Sequence, residues 1–321
     1  MKHSILKLLI TILLIVTPLT VLAQDSGIPE PGLSGNLQGG AYVLKTNSQF
    51  YVENTNRSTD NLDGPADNHD KIAGLASIDL NYQFEGGTAI YAGNPMEPGE
   101  DFVLAAGVKQ PIGNSTLDMA VTWIPTNEVW KNPYQTVDSR EKTDADAYGM
   151  RIQLQEVAGQ PWEVIYNIDR IDIEDDEIGD LEDDLKRSGL IHEIGVKYTL
   201  SLQQGVSLCP ELSYTYGDIE GLSNKYHEIK TGVQLKLVRS PWVVVGLVSG
   251  FHRQYQETHP LFDKTLQESG MFTFAQVMRL NLFGRENLFA SLGAGYALSD
   301  ANIDFFDSQT VLGLASVGIN F

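Results

Sequence analysis

VLGLASVGINF, residues 311–321, is the stretch that decides the fold. If it forms an extended strand, the odd-numbered residues from Val311 to Phe321 lie on one face, because successive side chains of a strand point to opposite sides. That face is wholly apolar, and it ends in an aromatic residue. Soluble strands can alternate in the same way, so the rest of the chain has to show what covers this face.

The amino terminus has the pattern of a secretory signal peptide. Lys2 and Lys7 precede the apolar run Leu8–Val16, and Val21–Ala23 supply a small-residue cleavage site. A membrane anchor is the alternative, but the run is short for a spanning helix and Pro18 favours a turn. The predicted organisation is a signal peptide at 1–23, a periplasmic segment at 24–34 and a barrel at 35–321.

Composition excludes several classes of protein. The chain has 22 Lys and Arg residues against 42 Asp and Glu residues, a formal net charge of −20, so it is not expected to bind nucleic acid by neutralising phosphates. The acidic surplus suits solvated loops of an exported protein. A single cysteine, Cys209, can form no internal disulfide. No second apolar run of about eighteen residues follows the signal, which excludes a helical inner-membrane protein, and no linker divides the remaining chain.

Alternating segments of about ten residues recur along the chain, as in transmembrane β-barrels. In the clearest of them, Ile72–Phe84, the even-numbered residues form an apolar face. The segment Thr88–Gly93 is the least regular, and losing it with a neighbour would leave twelve strands. The fourteen predicted strands are Gly35–Lys45, Ile72–Phe84, Thr88–Gly93, Phe102–Gln110, Thr116–Trp123, Tyr148–Val157, Trp162–Asp172, Leu190–Leu202, Val206–Tyr216, Tyr226–Val238, Trp242–Tyr255, Phe272–Phe283, Leu288–Leu298 and Val311–Phe321.

Short turns alternate with long polar connections, and aromatic residues gather near the strand ends. Both features are typical of a barrel with short periplasmic turns, long extracellular loops and aromatic girdles at the two membrane surfaces. We therefore predict an all-β, antiparallel, up-and-down transmembrane barrel of 14 strands in the cell outer membrane. The long connections are Thr46–Lys71, Ile124–Ala147, Ile173–Gly189 and Glu257–Gly270.

The terminal strand resembles the closing strand of Gram-negative outer-membrane barrels, whose assembly machinery reads a terminal aromatic residue after alternating apolar residues. This resemblance implies that Phe321 is part of an assembly signal, and that the partners of the chain are the barrel-assembly machinery and outer-membrane lipid. It also implies that the final strand pairs with Gly35–Lys45.

If the apolar faces meet lipid, the charged residues of the opposite faces line the lumen. A Lys or Arg facing lipid at mid-depth costs about 2–4 kcal/mol, which favours an inward position. Such side chains either set the ion preference of a water-filled pore or pair across strands and fill the interior. The candidates are Asp79, Lys109, Asp118, Arg151, Glu163, Asp169, Glu193, Lys197, Glu211, Glu228, Lys230, Lys236 and Arg279.

The acidic run DIEDDEIGDLEDD, residues 172–184, raises the question of a calcium site, because carboxylate oxygens are calcium ligands. It lacks the ligand spacing and the sixth-position glycine of the helix-loop-helix calcium site, so a solvated loop is the favoured interpretation. We predict no metal and no cofactor.

An enzyme of the outer membrane would need a serine activated by a histidine, or carboxylates with a histidine at the outer rim. No local serine motif is present, and no histidine can be paired with a specific acid from the sequence, so we predict that the chain is not an enzyme. The histidines after the signal lie near predicted outer strand ends or in loops. They are His69, His192, His227, His252 and His259.

Three short motifs resemble a family of outer-membrane proteins from marine bacteria known as domain of unknown function 2860. They are Gly32–Gly35 before the first strand, Glu257–Thr265 in a loop, and SDANIDFFDS at residues 299–308. The resemblance implies location and fold, and it supplies no catalytic or binding residues. The leading functional hypothesis is a passive, porin-like channel for small solutes or ions. The alternative is a closed barrel that acts through its extracellular loops as a surface-interaction or structural protein.

Overall fold

A computed structural model describes residues 31–59, 62–94 and 103–321. The predicted signal peptide lies outside this part of the chain. In the described part, no helix has the length and apolar character needed to cross a membrane.

Fourteen strands form one sheet that closes on itself, as predicted. The eighth is interrupted at Thr199 and continues beyond it. The strands are β1 (Gly32–Thr46), β2 (His69–Gln83), β3 (Ala89–Gly93), β4 (Leu104–Ile112), β5 (Ser115–Trp130), β6 (Lys142–Gln155), β7 (Trp162–Ile173), β8 (Gly189–Tyr198 with Leu200–Gln203), β9 (Val206–Ile219), β10 (Tyr226–Arg239), β11 (Trp242–His259), β12 (Lys264–Arg279), β13 (Leu288–Ala301) and β14 (Ser308–Asn320).

Helical structure in the described residues is confined to the connections. The short helix α1 spans Glu177–Leu181. Single 3₁₀ turns lie at Asn54–Asn56, Val157–Gly159, Asp183–Leu185, Leu222–Asn224, Leu282–Gly284 and Asp304–Phe306.

The first and last strands close the barrel. Each strand pairs antiparallel with the next along the chain, and β14 pairs with β1. Asn36 lies opposite Asn320 and Lys45 lies opposite Val311, so the predicted closing pair is confirmed. Gly35 N–H donates to the carbonyl of Phe321 at 2.9 Å, and Phe321 N–H donates back to Gly35 at 3.0 Å. The strand begins at Gly32, inside the segment predicted to precede the barrel.

Two loops are shorter than predicted because their strands are longer. β5 runs to Trp130 and β6 begins at Lys142, so the long connection placed at 124–147 shrinks to 131–141. Likewise β11 runs to His259 and β12 begins at Lys264, which leaves four residues between them. These extensions rise beyond the apolar part of the wall, where a strand no longer has lipid on one face, and their ends at Trp130 and His259 are buried against the loops. No hydrophobic alternation marks them in the sequence.

The two faces of the wall differ in character. Residues that lie opposite each other on neighbouring strands share a face. Leu37 lies opposite Ile78, and both side chains are exposed on the outside. Gln38 lies opposite Ser77 on the inside, where Ser77 is buried. The apolar odd-numbered face of β14 is likewise the outer one, with Val311, Val317 and Phe321 all exposed.

Candidate functional site: the lumen and the loop cap

The paired rows of the barrel place all but one of the predicted lumen residues on the inner face. One row runs from Glu163 to Lys197, Glu211 and Gly232 across four neighbouring strands. A second row, nearer the extracellular end, contains Glu193, Thr215 and Glu228. The inward residues are Asp79, Lys109, Asp118, Arg151, Glu163, Asp169, Glu193, Lys197, Glu211, Glu228, Lys230 and Lys236.

Arg279 is the exception, and its assignment to the lumen is wrong. It lies opposite Trp242 and Ala290, in the same outward set of β12 residues as the exposed Met271 and Val277. It is the last residue of its strand, at the membrane surface. A charge on the outer face costs little at that depth, so the rule that places strand charges inside does not apply there.

Four inward residues on β3–β6 form one group, in which hydrogen bonds join three residues and a cation–ring contact adds Lys109. The Tyr91 hydroxyl donates to Asp118 Oδ1 at 2.6 Å, and Arg151 Nη2 donates to the Tyr91 oxygen at 3.2 Å. Lys109 Nζ lies 5.1 Å from the centre of the Tyr91 ring. Asp118 is almost fully buried, with 2% of its surface exposed. This part of the charged wall is therefore held in place by its own contacts.

A second group of charges lies toward the extracellular end of β10–β12. The Arg253 guanidinium donates to Glu228 at 2.8–2.9 Å and to Glu268 at 3.4 Å. Tyr255 also donates to Glu268, at 3.2 Å. Sequence reasoning included Glu228 but missed Glu268, because Glu268 fell in a segment interpreted as loop.

The inward lysines of β8 and β10 keep part of their surface exposed. Lys197 Nζ lies 3.9 Å from Glu163, and the two side chains keep 31% and 26% of their surface exposed. No salt bridge is formed by Lys230 or Lys236 with any described residue. These side chains line space that water can enter.

The wall on the other side of the lumen carries uncharged polar groups. Ser291 and Ser316 hydroxyls lie 2.7 Å apart. Gln276 donates to Ser291 at 3.3 Å, and Gln38 donates to Ser316 at 2.5 Å. The result is a ladder of side-chain hydrogen bonds across β12, β13, β14 and β1. The lumen therefore has one charged wall and one uncharged wall.

Large inward side chains lie flat against the wall because glycines on the next strand leave room for them. A Cβ atom on Gly107 would lie 2.6 Å from the Tyr91 ring, and one on Gly318 would lie 2.3 Å from the Phe289 ring. A ring that covers a neighbouring glycine occupies the wall and not the barrel axis. This arrangement keeps bulky residues out of the centre of the lumen.

A cap of interlocking loops crosses the extracellular mouth. Tyr134, in the β5–β6 loop, packs against His259 and Phe262 from the end of β11 and the turn after it, with ring centres 5.2 and 6.0 Å apart. These two hairpins lie on nearly opposite sides of the barrel. Phe305, from the β13–β14 connection, lies 5.2 Å from Tyr134 and is fully buried. Contacts between opposite hairpins mean that the loops span the mouth.

Arg140 fastens the β1–β2 loop to the β5–β6 loop. Its guanidinium donates to the carbonyls of Gln49 at 3.0 Å and of Pro133 at 3.2 Å, and to the backbone and side-chain oxygens of Asn56. The side chain is 99% buried and stacks on Trp130, with 4.8 Å between Cζ and the ring centre. Because this burial disfavours the charged form, it lowers the pKa of Arg140 to about 10.

Arg187 ties the β7–β8 loop to the same assembly. It donates to the carbonyls of Trp130 and Lys131 at 2.8 and 2.9 Å and to Asp176 at 2.8 Å. The β5–β6 loop is therefore joined both to the β7–β8 loop and, through Arg140, to the β1–β2 loop.

His259 is the titratable group at the centre of the cap. Its ring is 1% exposed, and Nε2 lies 3.0 Å from the Tyr134 hydroxyl. Nδ1 accepts a hydrogen bond from Leu261 N–H at 3.3 Å, so the proton of the neutral ring belongs on Nε2. Burial lowers the pKa of His259 to about 4, because the charged form would lose its water.

The acidic run at 172–184 is folded and ion-paired. Asp172, Asp175, Asp176 and Asp183 each lie 2.6–2.8 Å from a basic nitrogen. Among the described residues, no group of three His, Cys, Asp or Glu side chains is arranged to hold a metal ion.

The described histidines do not form an evident catalytic site. His252 Nδ1 lies 2.9 Å from the Ser269 hydroxyl, on the outer face. The neighbouring acid in that row, Asp300, lies beside Ser269 and not beside the histidine. A base that activates serine is normally oriented by an acid on its other nitrogen, and within residues 31–59, 62–94 and 103–321 no acid forms a hydrogen bond with His252. His192 and His227 lie outward against Tyr166 and Tyr214 at 2.9 and 2.6 Å.

A closed barrel with an apolar outer wall is the architecture that satisfies every strand hydrogen bond inside a bilayer, and it defines an integral protein of the cell outer membrane. The chain belongs to the family described as "Protein of unknown function (DUF2860)", which matches residues 32–321. Two of the motifs that carried the resemblance, Glu257–Thr265 and residues 299–308, contain core residues of the cap.

Solved structures that match the chain include two outer-membrane proteins and a FadL homologue. OmpT of Vibrio cholerae, folded in vitro, is 9% identical; the match covers 94% of this chain and 100% of that chain, with a TM-score of 0.43. OprD of Pseudomonas aeruginosa is 11% identical over 90% of this chain and 94% of that chain, with a TM-score of 0.39. A FadL homologue of Pseudomonas aeruginosa is 12% identical over 91% and 90%, with a TM-score of 0.42. No curated protein matches the sequence.

Proposed function

We propose that this protein is a passive channel for small polar solutes or ions. The observation that carries the proposal is the partly exposed charge on the inner wall, where Lys197 and Glu163 keep about a third and a quarter of their surface accessible. Charges that filled the interior by pairing would be buried. The aromatic rings that lie over glycines of the wall, such as Tyr91 over Gly107, do not occupy the barrel axis, which is consistent with a water-filled pore.

Inward carboxylates outnumber inward cations, so the channel prefers cations weakly. The eight carboxylates are Asp79, Asp118, Glu163, Asp169, Glu193, Glu211, Glu228 and Glu268, and the seven cations are Lys71, Lys109, Arg151, Lys197, Lys230, Lys236 and Arg253. Rings of charged side chains set ion preference through local concentration of counter-ions. Removing cations should therefore strengthen the preference.

The loop cap limits entry from the outside. Aromatic contacts and the hydrogen bonds of Arg140 hold the cap across the mouth. Solutes therefore pass through gaps between the loops, or they pass when the cap loosens. We expect small conductance steps with frequent closures.

Planar-bilayer recording tests the channel. The wild-type protein should give reproducible conductance steps. Under a salt gradient, the reversal potential of a double Lys197→Gln, Lys230→Gln variant should shift toward the equilibrium potential of the cation. Lys45→Gln is the matched control, because Lys45 is exposed on the outer face at the extracellular end of β1. A correctly folded barrel that stays silent would refute the proposal, and an unchanged selectivity would refute the assigned role of the two lysines.

A second candidate is a surface-interaction or structural role through the extracellular loops. The observation that favours it is the packed cap, which presents a defined outer surface. A silent barrel that binds cells or matrix through the cap, and loses that binding when Arg140 is replaced, would support this candidate over the channel.

Neither role requires catalysis, and we propose none. In the part of the chain that the structure describes, no acid forms a hydrogen bond with His252 of the Ser269–His252 pair, so a Ser269→Ala variant should release fatty acid from phospholipid vesicles no differently from the wild type. We also propose that the barrel-assembly machinery acts on the closing strand through Phe321.

A further inference from the structure

The outer wall carries a row of paired residues that rises from the periplasmic surface into the membrane. It starts with Arg239 and Trp242 at the turn between β10 and β11 and reaches Gly39 in the middle of β1. Its first three members are the terminal residues of their strands, and the next three lie progressively farther from the periplasmic strand ends, so the row climbs as it crosses the wall. Its members are Arg239, Trp242, Arg279, Ala290, Val317 and Gly39.

An apolar groove follows this row. Its volume is about 510 Å³, and its lining is almost wholly apolar. Small residues such as Ala290, Ala315 and Gly39 line the groove together with Val277 and Leu292. A groove of this kind on the lipid-facing wall has room for an extended acyl chain.

Arginine stands at the periplasmic end of the groove. The Arg279 guanidinium lies over the Trp242 ring, 5.5 Å from its centre, and both residues line the groove. In the described part of the chain, Arg279 forms no salt bridge with a carboxylate, and neither does Arg239 in the same row. This is unusual in a chain with a net charge of −20, where acidic partners are abundant. The cation is available to an anion from outside the protein.

We propose that this groove binds an anionic phospholipid of the periplasmic leaflet. The phosphate lies on the Arg279 guanidinium, which presents a fork of N–H donors suited to phosphate oxygens. One acyl chain runs up the groove toward Gly39. Trp242 lies at the headgroup level between Arg239 and Arg279, where an amphipathic ring belongs.

Charge complementarity selects this occupant over a second copy of the chain. A copy would have to offer a carboxylate at headgroup depth and an apolar ridge above it. A phospholipid supplies an anion and an acyl chain at those two depths.

Quenching of Trp242 fluorescence tests the proposal. Trp123 and Trp162 are exposed on the outer face and are replaced by Phe, whereas Trp130 is retained because it is buried in the cap and gives a constant background. The protein is reconstituted in phosphatidylcholine containing either brominated phosphatidylglycerol or brominated phosphatidylcholine. Stronger quenching by the brominated phosphatidylglycerol is expected, with a binding preference of about threefold, the factor that one partly exposed ion pair provides.

The preference should disappear in Arg279→Gln and persist in Lys236→Gln, a matched removal of a cation that faces the lumen at the same end of the barrel. Equal quenching by both brominated lipids in the wild type would overturn the proposal, and so would a preference that survives Arg279→Gln. Absence of quenching by either lipid would mean that another protein surface covers the groove, which also overturns it. Native mass spectrometry of phosphatidylglycerol retention gives a second measurement that is independent of the tryptophan replacements.

Discussion

Acidification should loosen the loop cap through His259. In the closed cap the imidazole is buried, Nδ1 accepts from Leu261 N–H and Nε2 faces the Tyr134 hydroxyl. A second proton would put an N–H opposite the Leu261 N–H and leave a charge without water. The closed state therefore resists protonation, whereas an opened cap exposes an ordinary histidine.

The sign and size of the effect follow from the two pKa values. The pKa of His259 is lowered from its usual 6.5 to about 4 by burial. Between these values the opened cap binds more protons than the closed one, so the closed cap loses stability as pH falls from 6.5 toward 4. The full difference is about 3 kcal/mol, or roughly three hundredfold in the opening equilibrium. Above pH 6.5 the effect vanishes.

Acrylamide quenching of Trp130 reports the opening, since this ring is 1% exposed and lies under Arg140. Quenching is measured from pH 8 to pH 4 on a protein whose other three tryptophans are Phe. Quenching should rise below about pH 6 in the wild type and stay flat in His259→Gln, whose amide remains neutral. Other groups that titrate contribute to both proteins alike, so the difference isolates His259. Identical pH profiles in the two proteins would refute the reasoning.

Three further predictions concern the Arg140 hydrogen bonds in the cap, a glycine of the barrel wall and the terminal residue of the closing strand. Arg140→Met should release the β1–β2 loop at a cost of about 2–4 kcal/mol, because the carbonyls of Gln49, Pro133 and Asn56 lose their donor, and limited proteolysis should cut residues 47–68 first. Gly318→Ala should destabilise the barrel by about 1–3 kcal/mol in urea unfolding, since its Cβ would meet Phe289 at 2.3 Å, whereas Gly74→Ala, with nothing within 4 Å, should not. Phe321→Ser should slow assembly, followed by the heat-dependent shift in gel mobility, and equal assembly rates would contradict a signalling role.

Alternation predicted the strands because the bilayer imposes it. In β2 and β14 one face meets lipid and the other meets the lumen, and the sequence records that difference residue by residue. Above the bilayer the constraint ends. The upper parts of β5 and β11 have no lipid on either side, so their sequences lack the two-residue hydrophobic alternation of a membrane strand. These segments are therefore predicted as loop.

The candidate site was predictable only in part, for two physical reasons. Alternation of side chains along a strand predicted the inward position of residues such as Lys197 and Lys230. At a strand end, however, a charge on the outer face costs little free energy, so alternation with apolar residues does not fix its side. For this reason the prediction for Arg279 is wrong. The cap depends on contacts between loops far apart in the sequence, which no local pattern reveals. Its only trace in the sequence is the aromatic content of polar connections, at Tyr134, Phe262 and Phe305.

The contact between Tyr134 and the β11–β12 turn also has a mechanical meaning. An empty cylinder of strands is stiff along each strand and soft to flattening of its cross-section. A brace between nearly opposite hairpins resists that flattening at one end, whereas the described connections at the periplasmic end are turns of eight residues or fewer. Lateral pressure from the bilayer should therefore deform this barrel from the periplasmic side first, and its extracellular rim should keep a constant shape.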